Sequence, residues 1–226
     1  MNICLIPARG GSKRIPYKNI KEFKGQPIIN YAIQTAIKSE LFDEIVVSTD
    51  DELIKKELDI FKSKVIIFDR SKETATDDAM LADVILEFMD KGYVYKQDIL
   101  CCLLPCTPLL DQKHLQDAYR LYNNSVDSVV PVVQYSQPYQ RALRCSGNNK
   151  VRMLNEDYYN IKSQDLLPVY YDPGAFWILN PTSFKEYKKL YMPMSVPFEM
   201  SELETQDIDT PEDWKMLELK YMRKYG

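Results

Sequence analysis

An α/β fold, with a mostly parallel sheet covered by helices on both faces, is what this sequence predicts, and three observations carry the prediction. Short apolar runs alternate with helical periodicities as far as about Tyr135, and a parallel sheet with crossover helices is the economical solution to that alternation. The size and make-up, 226 residues with 45% hydrophobic and 27% charged side chains, suit one compact domain over 1–226. Beyond Tyr135 the chain turns richer in Tyr, Asn, Gln and Ser before the apolar runs return, which marks an excursion from the sheet.

Taken in order, "NICLIPA" is a first strand ending in a loop, and "PIINYAIQTAIKSELF" is a helix with Pro27 in its first turn. Its buried face is Ile28, Tyr31, Ala32, Thr35 and Ala36. "EIVVSTD" is a strand with a polar end, "DELIKKELDIF" a helix, and "KVIIFD" a strand. "DDAMLADVILEFMDKG" is a helix with acids in its first turn and Gly92 at its end. "DILCCLLP" is the most apolar strand, followed by the helix "DQKHLQDAYRLYNN" and the strand "VDSVVPVV". Residues 135–167 form the excursion, a lid or an arm gripping another subunit, with "SGNNK" as a turn between two strands. "AFWILN" and "SVPFEM" are returning strands, and a last helix is capped by Thr210 with Pro211 at its first position.

The net charge of −4 excludes a general polyanion binder, so any anion must be held by a local cluster. Five cysteines without CxxC spacing read as reduced thiols in a cytoplasmic protein rather than a disulfide frame or zinc site. No apolar run approaches the roughly 18–20 residues of a membrane span, and no charged and apolar leader opens the chain, so no membrane insertion is expected.

The chemistry concentrates at two places. "CLIPARGGSKRIPYKNIK" follows the first strand, where open α/β sheets place ligands. Gly10 and Gly11 let the backbone approach an anion, and Arg9, Lys13, Arg14, Lys18 and Lys21 bring five cations with no acid before Glu22. A triphosphate has enough charge to match them, although neither a P-loop nor a GxGxxG pattern is present. Near the other end, "TQDIDTPEDW" sets Asp207 and Asp209 two apart. In an extended segment both carboxylates share a face, on the order of 7 Å apart, and they suit Mg²⁺; the plainer alternative is that Asp209 or Thr210 only starts the last helix. The acids of "STDDE" read as helix capping, and the single His114 reads as a surface residue without a role.

With "DEIVVSTDDE" and "KSQDLLPVYYDPGAFWI", these motifs resemble the CMP-nonulosonate synthetases, cytidylyltransferases that activate sialic-acid-like sugars, across essentially the whole chain. The resemblance implies a Rossmann-like nucleotidyltransferase fold with an inserted dimerisation arm, a homodimer, and a place in surface-glycan biosynthesis. It also implies attack of a sugar-acid hydroxyl on the α-phosphorus of CTP, with Mg²⁺ required. "SQDLLPVYYDPGAFW" is most similar to the pseudaminic acid type, from which it departs at Lys162, Tyr171, Pro173 and Ala175; Leu104 stands where CMP-neuraminate enzymes carry glutamine. CMP-neuraminate, CMP-legionaminate and CMP-Kdo synthetases are the alternatives within enzymes. On the residues the resemblance matches, Arg9, Lys13 and Lys18 contact the triphosphate, Ser12, Asn19 and Arg70 lie near the nucleotide, and Asp207 and Asp209 hold the metal. Arg141 and Lys162 are candidates for the sugar carboxylate, and Gln164 and Asp165 for its other polar groups; each is equally suited to a subunit contact. A non-catalytic nucleotide- or RNA-binding module is the rival of another class, but the acidic total and the lack of an extended basic stripe count against nucleic acid.

Overall fold

The computed structural model describes residues 1–147 and 149–226. Twelve strands and six α-helices are assigned among them. The first half holds β1 (Asn2–Pro7), β2 (Glu22–Phe23), β3 (Gln26–Pro27), α1 (Ile29–Ser39), β4 (Glu44–Thr49), α2 (Glu52–Glu57), β5 (Ile66–Asp69), α3 (Leu81–Phe88), β6 (Ile99–Leu103) and α4 (Gln112–Tyr119). The second holds β7 (Ser128–Gln134), β8 (Leu143–Ser146), β9 (Lys150–Met153), β10 (Tyr170–Tyr171), β11 (Phe176–Leu179), α5 (Pro181–Tyr187), β12 (Ser195–Glu199) and α6 (Pro211–Tyr225).

The main sheet has eight strands in the order β10-β7-β11-β6-β1-β4-β5, with β12 also on β7. Its core, β6, β1, β4 and β5, is parallel throughout. The antiparallel β11 is inserted between β6 and β7. Successive residues of a strand point to opposite faces, so each buried strand feeds two cores. Cys4 and Ile6 pack with Ile33 of α1, Ile54 of α2 and Leu115 of α4. Ile3 and Leu5 pack on the other face with Ile85 and Phe88 of α3 and Phe184 of α5. Helices therefore cover both faces, as the alternation predicted.

Two boundaries differ from the sequence reading. Pro27 lies in the short β2–β3 hairpin rather than in the first turn of α1, which starts at Ile29. In α3 the cap is Met80, closed by the Asp83 carboxylate accepting its amide, so Asp77 and Asp78 precede the helix instead of lining its first turn. Gly92 does end that helical stretch, at φ 86°.

The excursion leaves β7 and returns at β10. It carries the isolated two-stranded sheet β8–β9 and three single 3-10 turns. The expected "SGNNK" turn spans the β8–β9 connection, with Asn148 outside the described residues.

A third core lies beneath the carboxyl ends of β1 and β6. Phe23, Ile28, Leu109, Trp214 and Leu217 bury Ile15 from the loop after β1 and Ile208 from the segment before α6. Burying each large apolar side chain of this kind contributes about 1.5–3 kcal/mol. The cluster thus fastens two segments nearly 200 residues apart in the chain to one base.

Candidate functional site

The loop after β1 crosses the carboxyl edge of the sheet. Gly10 is required there, because a Cβ at that position would lie 2.2 Å from a carboxylate oxygen of Asp51, the N-cap of α2. Its amide donates to Asp50 Oδ1 at 3.1 Å, so this donor is already engaged by a carboxylate. Gly11 faces open space. Tyr17 takes a left-handed conformation at φ 54°, a cost of about 1–2 kcal/mol for a residue with a Cβ. It leads into the short turn Lys18–Ile20, where Asn19 is buried and donates to the Arg9 carbonyl at 2.9 Å.

Lys18 Nζ donates to the carbonyl of Ile208 at 2.7 Å, joining the two ends of the chain. Ile208 is 2% exposed, and its burial turns the side chains on either side, Asp207 and Asp209, away from the core. The two carboxylates line adjoining cavities. Asp207 borders one of about 200 Å³ with Arg9, Ser12, Lys18, Asn19 and Cys106. Asp209 borders one of about 50 Å³ with Arg9, Ser12, Lys13, Arg14 and Lys18. Helix capping is not Asp209's task. The amides of Asp209 and Thr210 both donate to Asp213 Oδ2, at 3.0 and 2.7 Å, while Asp209 pairs with Arg14 at 2.8 Å.

Desolvation, followed by repulsion from Asp209, raises the pKa of Asp207 above the usual carboxylate range, and Lys18 only partly offsets this. No group of three or more His, Cys, Asp or Glu able to hold a metal by itself occurs among the described residues. A pair of carboxylates nevertheless fits Mg²⁺, which keeps water and phosphate oxygens in its remaining positions.

The other predicted residues are placed differently. Arg70 is 8% exposed and donates to the Ser48 hydroxyl and carbonyl, at 3.1 and 3.0 Å, at the end of β4. Burial lowers its pKa, with Asp50 opposing. It lines neither cavity. Arg141, Lys162, Gln164 and Asp165 are exposed and lie on the excursion. Arg141 donates to the Ser163 hydroxyl at 3.1 Å, and Gln164 borders a separate cavity of about 340 Å³ between residues 134–138 and 163–169. The structure therefore joins Arg9, Ser12, Lys13, Lys18 and Asn19 to the metal candidates, but not Arg70 or the sugar candidates.

Several neighbours were not predicted. Asp77 pairs with both Arg9, at 2.8 Å, and Lys13, at 2.5 Å. Cys106 hydrogen-bonds Asn19 Oδ1 at 3.3 Å, and burial pushes its thiol up to about 12, so it remains a protonated donor. Gly174, at φ 65°, brings the "DPGA" turn to the rim of the larger cavity, which it lines with Leu104 and Asp207. That turn is held by Asp172, which accepts from Gly174 N, Trp177 Nε1 and the Tyr191 hydroxyl. His114 is not a surface residue as expected; it lies between Asp111 at 3.0 Å and Glu204 at 3.4 Å.

Comparison with known proteins bears on the family and the fold. Residues 3–199 match the family model described as Cytidylyltransferase. A pseudaminic acid cytidylyltransferase of Campylobacter jejuni is 36% identical, over 97% of this chain and 96% of that protein. A CMP-N,N'-diacetyllegionaminic acid synthase of Legionella pneumophila is 30% identical, over 96% and 94%. In fold, a solved CMP:2-keto-3-deoxy-manno-octonic acid synthetase complexed with CTP superposes with a TM-score of 0.71 at 18% identity, covering 99% of both chains. The chain belongs to the cytidylyltransferase family and is a nucleotidyltransferase, as its resemblance to the CMP-nonulosonate synthetases implied.

Proposed function

We propose that the protein transfers a cytidylyl group from CTP to the anomeric hydroxyl of a nonulosonic acid, with pseudaminic acid as the substrate. One observation carries the reading: loop residues 9–19 and residues 206–209 converge on two adjoining cavities, with Asp207 facing the loop cations in one and Asp209 in the other. The 36% identity to a pseudaminic acid cytidylyltransferase supports the choice of sugar.

In this reading Arg9, Lys13, Arg14 and Lys18 neutralise the triphosphate, and Ser12, Asn19 and Arg70 serve the nucleotide. Asp207 and Asp209 hold Mg²⁺, which supplies charge neutralisation at the phosphates. The sugar hydroxyl oxygen forms a bond to the α-phosphorus, the bond to the β-phosphate bridge breaks, and pyrophosphate departs with the developing charge. The hydroxyl proton is lost to solvent or to a neighbouring carboxylate. Such a reaction depends chiefly on positioning and on electrostatic stabilisation of the transferring group.

The sugar carboxylate requires a cation, and Arg141 and Lys162 are the candidates, with Gln164 and Asp165 for the remaining polar groups. Residues 135–167 are also proposed as a homodimer arm. Tyr139, Leu143, Tyr159 and Leu167 are exposed on or at the edge of it, a large apolar surface for a soluble monomer to leave in water. No helix among the described residues is long and apolar enough to cross a membrane. Five free thiols support a cytoplasmic setting.

Incubation with CTP, Mg²⁺ and a panel of sugar acids tests the reading through pyrophosphate release. Pseudaminic acid should be used with the highest kcat/KM; preference for legionaminic, neuraminic or 2-keto-3-deoxy-manno-octonic acid would replace it. Absence of turnover with every acid would remove the catalytic assignment.

A further inference from the structure

We propose that Asp77 is an internal stand-in for a phosphate group: it holds Arg9 and Lys13 in the free enzyme, yields them to CTP, and reclaims them as pyrophosphate leaves. The inference rests on the reading of the 9–21 loop as the triphosphate site, and adds to it a residue that sets how tightly nucleotide and product are held.

Arg9 and Lys13 are the cations of that loop paired with a carboxylate other than the metal candidates, and both are taken by the same one, one on each oxygen. A carboxylate bridging a guanidinium and an ammonium reproduces the charge and acceptor geometry of a phosphate oxygen pair. The pairing is reciprocal in its electrostatics: Lys13, then Arg9, lowers the pKa of Asp77, and Asp77 raises that of Lys13.

Asp77 is also placed so that it can leave. It sits between β5 and α3, ahead of the Met80 cap. The base of this connection is tied down by Glu87, which accepts from the Ser71 amide at 2.9 Å and from the Thr74 hydroxyl. Beyond Thr74, Asp77 links the segment to the phosphate loop through two partly exposed ion pairs, with side-chain exposures of 31% for Arg9, 41% for Asp77 and 83% for Lys13. Pairs this exposed are weak, whereas a triphosphate brings several charges and Mg²⁺ to the same cations. Exchange therefore runs toward CTP, and back toward Asp77 once the product has lost its link to the sugar nucleotide.

The test is calorimetric titration of CTP with Mg²⁺ into the full chain without sugar acid, so that no turnover occurs, alongside steady-state inhibition by pyrophosphate. Asp77→Asn should tighten CTP binding about three- to tenfold by removing one anionic competitor across two pairs. It should lower the inhibition constant of pyrophosphate by a similar factor while leaving kcat no higher than in the wild type. Asp59→Asn, the same charge change on the turn after α2, should alter neither. Should Asp77→Asn fold poorly, Asp77→Ser carries the same expectation. Unchanged or weaker CTP binding in a folded Asp77 variant would overturn this proposal alone. Failure of the wild type to bind CTP would overturn the site reading and this proposal with it.

Discussion

The cavity between the chain's two ends and the excursion at residues 135–167 are both rich in polar side chains, but they differ in what lies beneath. Under the cavity, Ile15 and Ile208 are locked into one apolar cluster with Phe23 and Trp214, whose rings meet edge to face at 5.7 Å. The excursion has a hairpin of its own, and its candidate side chains Arg141, Lys162, Gln164 and Asp165 all face solvent. Groups positioned by a core hold their geometry without ligand, which is what transition-state stabilisation needs. Groups on exposed turns such as Tyr139–Arg141 and Ser163–Asp165 acquire fixed positions when a second surface covers them. In the proposed reading, the nucleotide half of the reaction is prepared by the fold of one chain, and the sugar half is completed by association.

The sharpest way to break this contrast is at the aspartates. Asp207→Ala and Asp209→Ala should lower turnover on the order of 10²–10³-fold or more, comparable with loss of a key charge-stabilising group, while circular dichroism and melting temperature stay near the wild type. Normal turnover in either would remove the metal assignment. Beneath them, Ile208→Ala should cost about 2–5 kcal/mol in urea unfolding, whereas Tyr159→Ala on the excursion should stay within about 0.5 kcal/mol for the monomer. Equal losses would show that the two regions are anchored alike. Lys18→Ala removes a charged hydrogen bond of about 1.5–3 kcal/mol, and kcat/KM for CTP should fall on the order of tenfold to a hundredfold. Arg141→Ala should raise KM for the sugar acid several-fold and leave KM for CTP unchanged; a change confined to CTP would move Arg141 out of the sugar site.

The smallest effect concerns pH. The folded pKa of Asp207 is raised, so the native state binds that proton more tightly than the unfolded chain does. Stability from this group is therefore present below the ordinary carboxylate pKa, and is lost as pH rises through the raised value. Asp207→Asn should melt slightly higher than the wild type at neutral pH, with the difference closing on acidification. Added Mg²⁺ should raise the melting temperature of the wild type only.

Much of the fold was legible because buried parallel strands are short apolar runs: β1, β4 and β6 follow "NICLIP", "EIVVST" and "ILCCL". The insertion of β11 between β6 and β7 was not, since partner choice depends on contacts distant in the chain rather than on local pattern. The start of α3 was misread because Asp77 and Asp78 look like first-turn acids, while the cap is closed by Asp83. In the site, spacing announced Asp207 and Asp209, and charge density announced Arg9 and Lys18. Nothing near Asp77, Cys106 or Gly174 in the sequence tells which distant residue each will meet. His114 was likewise misplaced, its two carboxylate partners coming partly from another segment, at Glu204.

Ile208 fixes more than its own burial. Because Ile208 is buried while Asp207 and Asp209 on either side border the cavities, losing or gaining one residue between Gln206 and Thr210 would drive a carboxylate into the apolar base and leave an aliphatic group facing the cavity. Length, more than identity at any neighbouring position, is what this stretch cannot vary. Ser146 and Lys150, which flank the β8–β9 connection, are both exposed, so insertions compatible with activity are expected there and not here.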